Sequence, residues 1–230
     1  MHWDEPRLLA LIADGLRRRD ELLHAEHAIK GIDSLDETAM HPVIAESLAA
    51  GGLGVVREFP YPGPQGRRRL RRERERCDFV LTPGPDAAPL DPMTTLVDRE
   101  EREATLFAAA TPTSLPGLDP EQCYFLELKL VGQFVYLDGV PGPNRVYASQ
   151  LTRSILKDLR KLGADDRVSR GAVLLVLFTA DAAVAEHDLP IALHRVLDKQ
   201  GTFRSPFIAK FPIDDRIGNA CCTVALIGKA

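Results

Sequence analysis

The segment CYFLELKLVGQFVY, residues 123–136, carries a carboxylate and an ammonium group within an apolar run that is typical of a β-strand. Side chains alternate between the two faces of a strand, so Glu127 and Lys129 share one face while Leu128 points to the other. A half-exposed strand can hold such a pair on its wet face with no catalytic role. The alternative is that the two charges form a reaction site.

Asp78 is a second acid at the start of a predicted strand, in the run RCDFVL. The chain between Asp78 and Glu127 is longer than a simple hairpin allows. Residues 84–121, which are rich in Pro, Ala and acids, account for most of that length. We expect them to form an insertion outside the core, with a short helix near residues 97–110.

A helix that supplies a third acid is predicted upstream of these strands. It should begin near Ser34 or Asp36, either of which is a good N-cap, and end at Gly51. Because each residue turns a helix by about 100°, Glu37 and His41 both fall on the apolar stripe that faces the sheet. A first-turn carboxylate also favours the helix dipole without further function. His41 fits a buried, hydrogen-bonded histidine better than a ligand or base.

Charge is distributed unevenly along the chain, whose formal net charge is -4. Residues 67–76, RRRLRRERER, hold seven Arg and two Glu, a local charge of +5. Such asymmetry is typical of a localised phosphate-binding surface, and it makes Arg68, Arg69, Arg71 and Arg72 candidate nucleic-acid contacts. The run fits equally well a solvated hairpin whose arginines protect an exposed strand edge.

The remaining pattern predicts an α/β fold with a mixed central sheet flanked by helices. Residues 1–33 are expected to form an N-terminal helical extension, and residues 34–230 the main domain. Downstream come a helix in YASQLTRSILKDLRKL, a fully buried strand in GAVLLVLF, a helix over 183–199 and a last strand in ACCTVALIG. The chain has 45% hydrophobic residues. Its first residues contain no apolar stretch long enough for a signal peptide, and no apolar run is long enough to span a membrane, so a soluble cytoplasmic protein is expected.

Together, RCDFVL, then LELKL, then a helix starting near Gln150 resemble the PD-(D/E)XK nuclease superfamily, with a likeness that spans about residues 36–180. That signature is an Asp at the start of one strand, an acidic-x-Lys triplet on the next, and usually a helical Glu upstream. The Asp of the signature matches Asp78, and its triplet matches Glu127, Leu128 and Lys129. The helical Glu upstream matches Glu37. The variable polar residue on the following helix would be Gln150, and Cys77 stands where the family name has Pro.

The resemblance implies a restriction-endonuclease-like fold and a site for Mg²⁺ or Mn²⁺. Asp78 and Glu127 would bind the cation with help from the carbonyl of Leu128, since hard cations take oxygen ligands. Lys129 would orient or help to deprotonate the attacking water and stabilise negative charge in the transition state.

The implied activity is hydrolysis of phosphodiester bonds in DNA by an endonuclease of restriction, repair or phage defence. DNA is favoured over RNA as the substrate, and no membrane is expected as a partner. Nucleases of this kind often act as dimers when both strands are cut, so a homodimer is one expectation. The alternative is a catalytically inactive module that keeps the fold and binds nucleic acid or a protein partner.

Overall fold

The computed structural model describes residues 2–63, 75–91, 117–199 and 201–230. The described part of the chain contains four α-helices: α1 Glu5–Ala25, α2 Glu37–Ala50, α3 Tyr147–Gly163 and α4 Ala182–Asp198. It contains eight strands: β1 Gly54–Pro60, β2 Arg76–Thr82, β3 Tyr124–Gly132, β4 Phe134–Leu137, β5 Val140–Pro143, β6 Gly171–Thr179, β7 Phe207–Pro212 and β8 Cys221–Gly228.

Six of these strands form one mixed sheet in the order β1-β2-β3-β6-β8-β7. Strands β3 and β6 are parallel, and the other neighbouring pairs are antiparallel. A parallel pair needs a crossover, which α3 provides between β3 and β6. Strands β4 and β5 form a separate hairpin. The predicted α/β class with a mixed central sheet is therefore confirmed.

Helices cover both faces of the sheet. Helices α1 and α2 pack on one face around a core that includes Met40, Ile44 and Phe79. Helices α3 and α4 pack on the other face around Ile155 and Val196. Strand β6 is buried along its whole length because it lies between these two cores, as its unbroken apolar sequence predicts.

Helix α1, which lies within the predicted extension of residues 1–33, is part of the packing on the first face. Leu8, Ile12 and Leu16 are buried in the same core as α2 and β8. At its start, Glu5 accepts a hydrogen bond from the Tyr124 hydroxyl, at 2.8 Å. Side chains of the extension thus contact the central strands directly.

The apolar run at residues 123–136 is two strands rather than the single strand predicted. β3 ends at Gly132, and β4 begins at Phe134 in the separate hairpin. Gln133 holds this break, because its backbone N–H donates to the carbonyl of Phe178 at 2.8 Å and its Oε1 accepts from the N–H of Ala180 at 2.9 Å. Alternation of side chains could not reveal this switch, since both strands are apolar.

The ends of the insertion at 84–121 lie side by side. The N–H of Leu90 donates to the carbonyl of Leu118, and the N–H of Leu118 donates to the carbonyl of Ala88, each at 2.8 Å. The helix predicted near 97–110 lies outside the described residues. So do the four candidate nucleic-acid contacts Arg68, Arg69, Arg71 and Arg72. Among the helices that the structure describes, none is long and apolar enough to cross a lipid bilayer.

Candidate active site

Strands β2 and β3 separate at the predicted site. Their backbone pairing is Leu81 with Tyr124, Val80 with Phe125 and Phe79 with Leu126. Next to these pairs, the Asp78 side chain replaces the backbone of β2 as the hydrogen-bond acceptor. Its Oδ2 accepts a hydrogen bond from the N–H of Leu128 at 2.6 Å. β1 stays paired with β2 as far as Arg76, so the sheet opens between β2 and β3 alone. We call this opening the strand fork.

A cleft of about 490 Å³ lies at the strand fork. Its lining comprises four acids and five bases: Glu75, Asp78, Glu127 and Asp158, with Arg76, Lys129, Lys157, Arg160 and Lys161. Glu127 and Asp158 are only 2% and 3% exposed, whereas Arg76, Lys157 and Arg160 are exposed. The cleft therefore has buried carboxylates at its floor and cations at its rim.

Glu127 is held by two donors on the floor of the cleft. Its Oε1 accepts a hydrogen bond from the Tyr61 hydroxyl at 2.5 Å and lies 2.8 Å from Nζ of Lys161. Burial, with a smaller contribution from the charge of Asp78, raises the pKa of Glu127 to about 6, although the hydrogen bonds from Lys161 and Tyr61 lower it. This carboxyl group therefore ionises just below neutral pH.

Lys129 connects the helices of the two layers through the strand fork. Its Nζ lies 3.4 Å from Oδ2 of Asp158 on α3 and 3.3 Å from Oε1 of Glu37 on α2. Burial lowers the pKa of Lys129, but the charges of Asp158, Glu37 and Asp78 outweigh burial and raise that pKa above its ordinary value. Lys129 is therefore a fixed cation at neutral pH.

His41 lies beside Asp78 on the side of α2. Its Nδ1 is 3.9 Å from Oε1 of Glu58, and its Nε2 is 4.0 Å from Oδ1 of Asp78. The ring packs against Phe79 with 4.8 Å between ring centroids. His41 is buried as predicted, but the hydrogen bond expected for a buried histidine is missing at Nε2, which has no partner in the described part of the chain.

Four of the predicted site residues meet at the strand fork. Asp78, Glu127 and Lys129 line the same cleft, and Glu37 reaches Lys129 from the first turn of α2. Strand alternation predicted that Glu127 and Lys129 share a face, and helix phase predicted that Glu37 faces the sheet. The place of Asp78 beside them was implied only by the family resemblance. The last predicted site residue lies further away.

Gln150 and Leu128 are not among the described side chains that line the cleft. Gln150 accepts a hydrogen bond from Nδ2 of Asn144 at 2.8 Å and lines a second cavity of about 300 Å³, shared with Glu37 but not with Asp78. Leu128 contributes its N–H to Asp78, while its side chain is buried in the core below α2. The structure therefore separates Gln150 from the cleft.

Sequence reasoning missed Asp158, Lys161, Tyr61 and Glu58. A signal existed for Asp158, because it lies seven residues after Leu151 and so falls on the same buried stripe of α3. An acid on a buried stripe requires a partner, which is Lys129. No sequence signal places Tyr61 or Glu58 at the site, since their approach depends on how β1 and β2 pair and bend.

Comparison of the chain with known proteins identifies no relative: no protein-family model, no curated protein and no solved structure matches it. The chemistry of the cleft must therefore be inferred from its own side chains. Asp78 and Glu127 offer oxygen ligands of the kind that Mg²⁺ and Mn²⁺ prefer. Lys129 and the cationic rim suit a phosphate-containing ligand.

Proposed function

We propose that this protein is a metal-dependent nuclease of the PD-(D/E)XK type that hydrolyses phosphodiester bonds in DNA. Restriction, repair or phage defence is the proposed setting, and a restriction-endonuclease-like arrangement is the proposed fold. One observation carries the proposal. The strand fork brings Asp78, Glu127 and Lys129 into one cleft beneath an exposed cationic rim.

The two carboxylates fit a divalent cation because, within the part of the chain that the structure describes, hydrogen bonds fix only one oxygen of each. Oδ2 of Asp78 is held by Leu128, and Oε1 of Glu127 is held by Tyr61 and Lys161. Asp78, together with the remaining oxygen of Glu127, Oε2, would bind Mg²⁺ or Mn²⁺. When bound, such an ion would help to neutralise charge on the phosphodiester and would make water more acidic. It would also relieve the repulsion that contributes to the raised pKa of Glu127.

Lys129 would act through its charge rather than as a base, because Asp158 and Glu37 keep it protonated. A fixed cation in a partly buried cleft stabilises the negative charge that develops on the phosphoryl oxygens in the transition state. Asp158 and Glu37 would position the ammonium group. Their own negative charge balances Lys129 before a substrate binds.

The rim would hold the phosphates on either side of the scissile bond. Arg76, Lys157 and Arg160 are exposed there, and each can donate hydrogen bonds to phosphate oxygens. Arg76 is also the last residue of the arginine run at 67–76. Arg76 itself lies at the rim of the cleft, which supports a role for the run in binding DNA.

An inactive module that binds nucleic acid or a protein is the second candidate. The observation in its favour is that the charged residues at the floor already have partners. Glu127 pairs with Lys161, and Lys129 pairs with Asp158. Such a network can hold α3 on the sheet without any bound cation.

Incubation of the purified protein with circular DNA, linear DNA and RNA separates these two candidates. Each substrate is tested with Mg²⁺, with Mn²⁺ and with EDTA, beside an Asp78→Asn variant. The nuclease proposal expects cleavage of DNA with a divalent cation and none with EDTA or Asp78→Asn. Binding of nucleic acid by a folded protein without cleavage in any of these conditions would favour the module.

A further inference from the structure

A second set of potential ligands lies on the opposite side of Asp78 from Glu127. It consists of His41 on α2, Glu58 on β1 and Asp78 on β2. One ligand atom from each residue lies within 4.8 Å of the other two. Glu127 belongs to the other face, where it contacts Tyr61 and Lys161 beneath α3.

The buried Nε2 of His41 supports the binding of an ion by this set. His41 is only 6% exposed, and among the described residues its Nε2 has no hydrogen-bond partner. A buried polar atom without a partner costs free energy, so one that persists needs an explanation. Nε2 faces Oδ1 of Asp78, the oxygen that Leu128 leaves free.

The distances within the set suit a shared cation better than hydrogen bonds. Nδ1 of His41 lies 3.9 Å from Oε1 of Glu58, and Nε2 lies 4.0 Å from Oδ1 of Asp78, and both distances are too long for a hydrogen bond. One ion can bind only one of these nitrogens, and with one ligand atom taken from each residue the three atoms lie within 4.8 Å of one another. Two ligands at about 2.2 Å from one ion lie roughly 3 to 4 Å apart. A closure by several tenths of an ångström would complete the site, and the side chain of Glu58, which is 53% exposed, has room to make it.

The backbone around Glu58 brings that side chain to the set. Glu58 adopts a left-handed conformation with a φ of 53°, between the β1 residues that pair with Phe79 and Cys77. The guanidinium of Arg76 donates to the carbonyl of Glu58 at 2.7 Å. On the other side, packing against Phe79 fixes the ring of His41.

We propose that His41, Glu58 and Asp78 bind one first-row transition-metal ion of the Mn²⁺ type. An imidazole with two carboxylates favours such ions over Mg²⁺ and Ca²⁺, which prefer oxygen ligands alone. This ion is distinct from a cation held by Glu127, although the two sites share Asp78. The site deepens the nuclease proposal, because it specifies which metal the protein prefers. The evidence for the site is the geometry of His41, which is the same whether or not the protein hydrolyses DNA.

The test uses Mn²⁺ alone as the probe and the full chain as the protein. Pulsed electron paramagnetic resonance of bound Mn²⁺ detects a directly coordinated nitrogen through its hyperfine coupling. We expect the coupling of one imidazole in the parent protein and in Glu127→Gln, and none in His41→Gln. Glu58→Gln, at an exposed side chain, should weaken Mn²⁺ binding at least tenfold. Circular dichroism checks that each variant is folded.

Mn²⁺ bound without nitrogen coupling, or a coupling that survives in folded His41→Gln, would overturn the assignment. So would no Mn²⁺ binding at all, which is the result expected if His41 has only a structural role between the two carboxylates. Cleavage of DNA without the coupling would refute this site and leave the nuclease proposal standing. Nitrogen coupling without cleavage of DNA or RNA would support this site and refute the nuclease proposal.

Discussion

The paired and the forked parts of strands β2 and β3 bury very different side chains. In the paired part, Phe79, Leu81 and Leu126 are almost entirely buried among apolar neighbours. In the forked part, one to three residues after Leu126 on the same strand, the charged residues Glu127 and Lys129 take the place of apolar ones. Where the backbone ladder continues, the strands hold apolar side chains. Where it opens, charged groups can reach partners on the helices of both faces.

The two parts also differ in how they affect stability. Apolar burial in the paired part stabilises the fold by about 25 cal/mol for each Å² removed from water. In the forked part, desolvation of Glu127 and Asp158 opposes folding, and ion pairs with Lys161 and Lys129 offset it. Groups that cost stability and yet lie together in a cleft are typical of functional sites. The following experiments test that difference.

Truncation in the paired part should have the largest effect on stability. Phe79→Ala removes a fully buried ring from the core under α2, so we expect a loss of about 3 to 5 kcal/mol in the free energy of unfolding. Denaturant unfolding followed by circular dichroism measures it. A loss below about 1 kcal/mol would mean that the ring is not packed as described.

Breaking one ion pair in the forked part should be costly, and removing both partners should restore much of the loss. Lys129→Met leaves the buried Asp158 without its nearest cation, and we expect a loss of about 2 kcal/mol. The double variant Lys129→Met, Asp158→Leu should recover most of that loss. A double-mutant cycle in denaturant gives the coupling. Strictly additive effects would show that the two side chains do not interact.

Stability should depend on the ionisation of Glu127. Its pKa in the folded protein is about 6, above its ordinary value of 4.5, so the folded state holds a proton that the unfolded state releases between these values. The contribution of Glu127 to the free energy of unfolding therefore falls by up to about 2 kcal/mol as the pH rises from about 4.5 to 6. Glu127→Gln should lose this part of the pH dependence. Superimposable unfolding profiles of the two proteins across that range would contradict the assignment.

The smallest expected effect concerns the arginine run, which lies outside the paired and forked strands. Replacing Arg68, Arg69, Arg71 and Arg72 with Ser should weaken DNA binding and reduce the salt slope by about 0.9 for each lost duplex contact. Titrations at several salt concentrations measure the slope. An unchanged slope would assign the run to protection of a strand edge.

The sequence predicted those features that depend on local periodicity. Unbroken apolar residues predicted the buried strand β6, and alternation put Glu127 and Lys129 on one strand face. Helix phase put Glu37 and His41 on the side of α2 that faces the sheet. These predictions worked because a regular backbone determines which side chains share a face.

Features that depend on tertiary structure could not be predicted in this way. The meeting of His41 with Glu58 requires a left-handed residue inside β1, for which the sequence gives no glycine as a signal. The break after Gly132 depends on Gln133 contacting the end of β6, far along the chain. Strand β7, with the sequence FIAKFP, was not predicted because its mixed pattern is that of an edge strand.

We propose that Lys129 acts in a metal-dependent reaction, and the rate of DNA cleavage by a Lys129→Ala variant is the decisive measurement of this role. The matched control is Lys199→Ala, which removes an exposed lysine outside the cleft. With Mg²⁺ or Mn²⁺, we expect the parent and Lys199→Ala to cleave at the same rate and folded Lys129→Ala to be at least about a thousandfold slower. EDTA should stop all cleavage. Cleavage by Lys129→Ala at the parent rate, unaffected by EDTA, would contradict the mechanism.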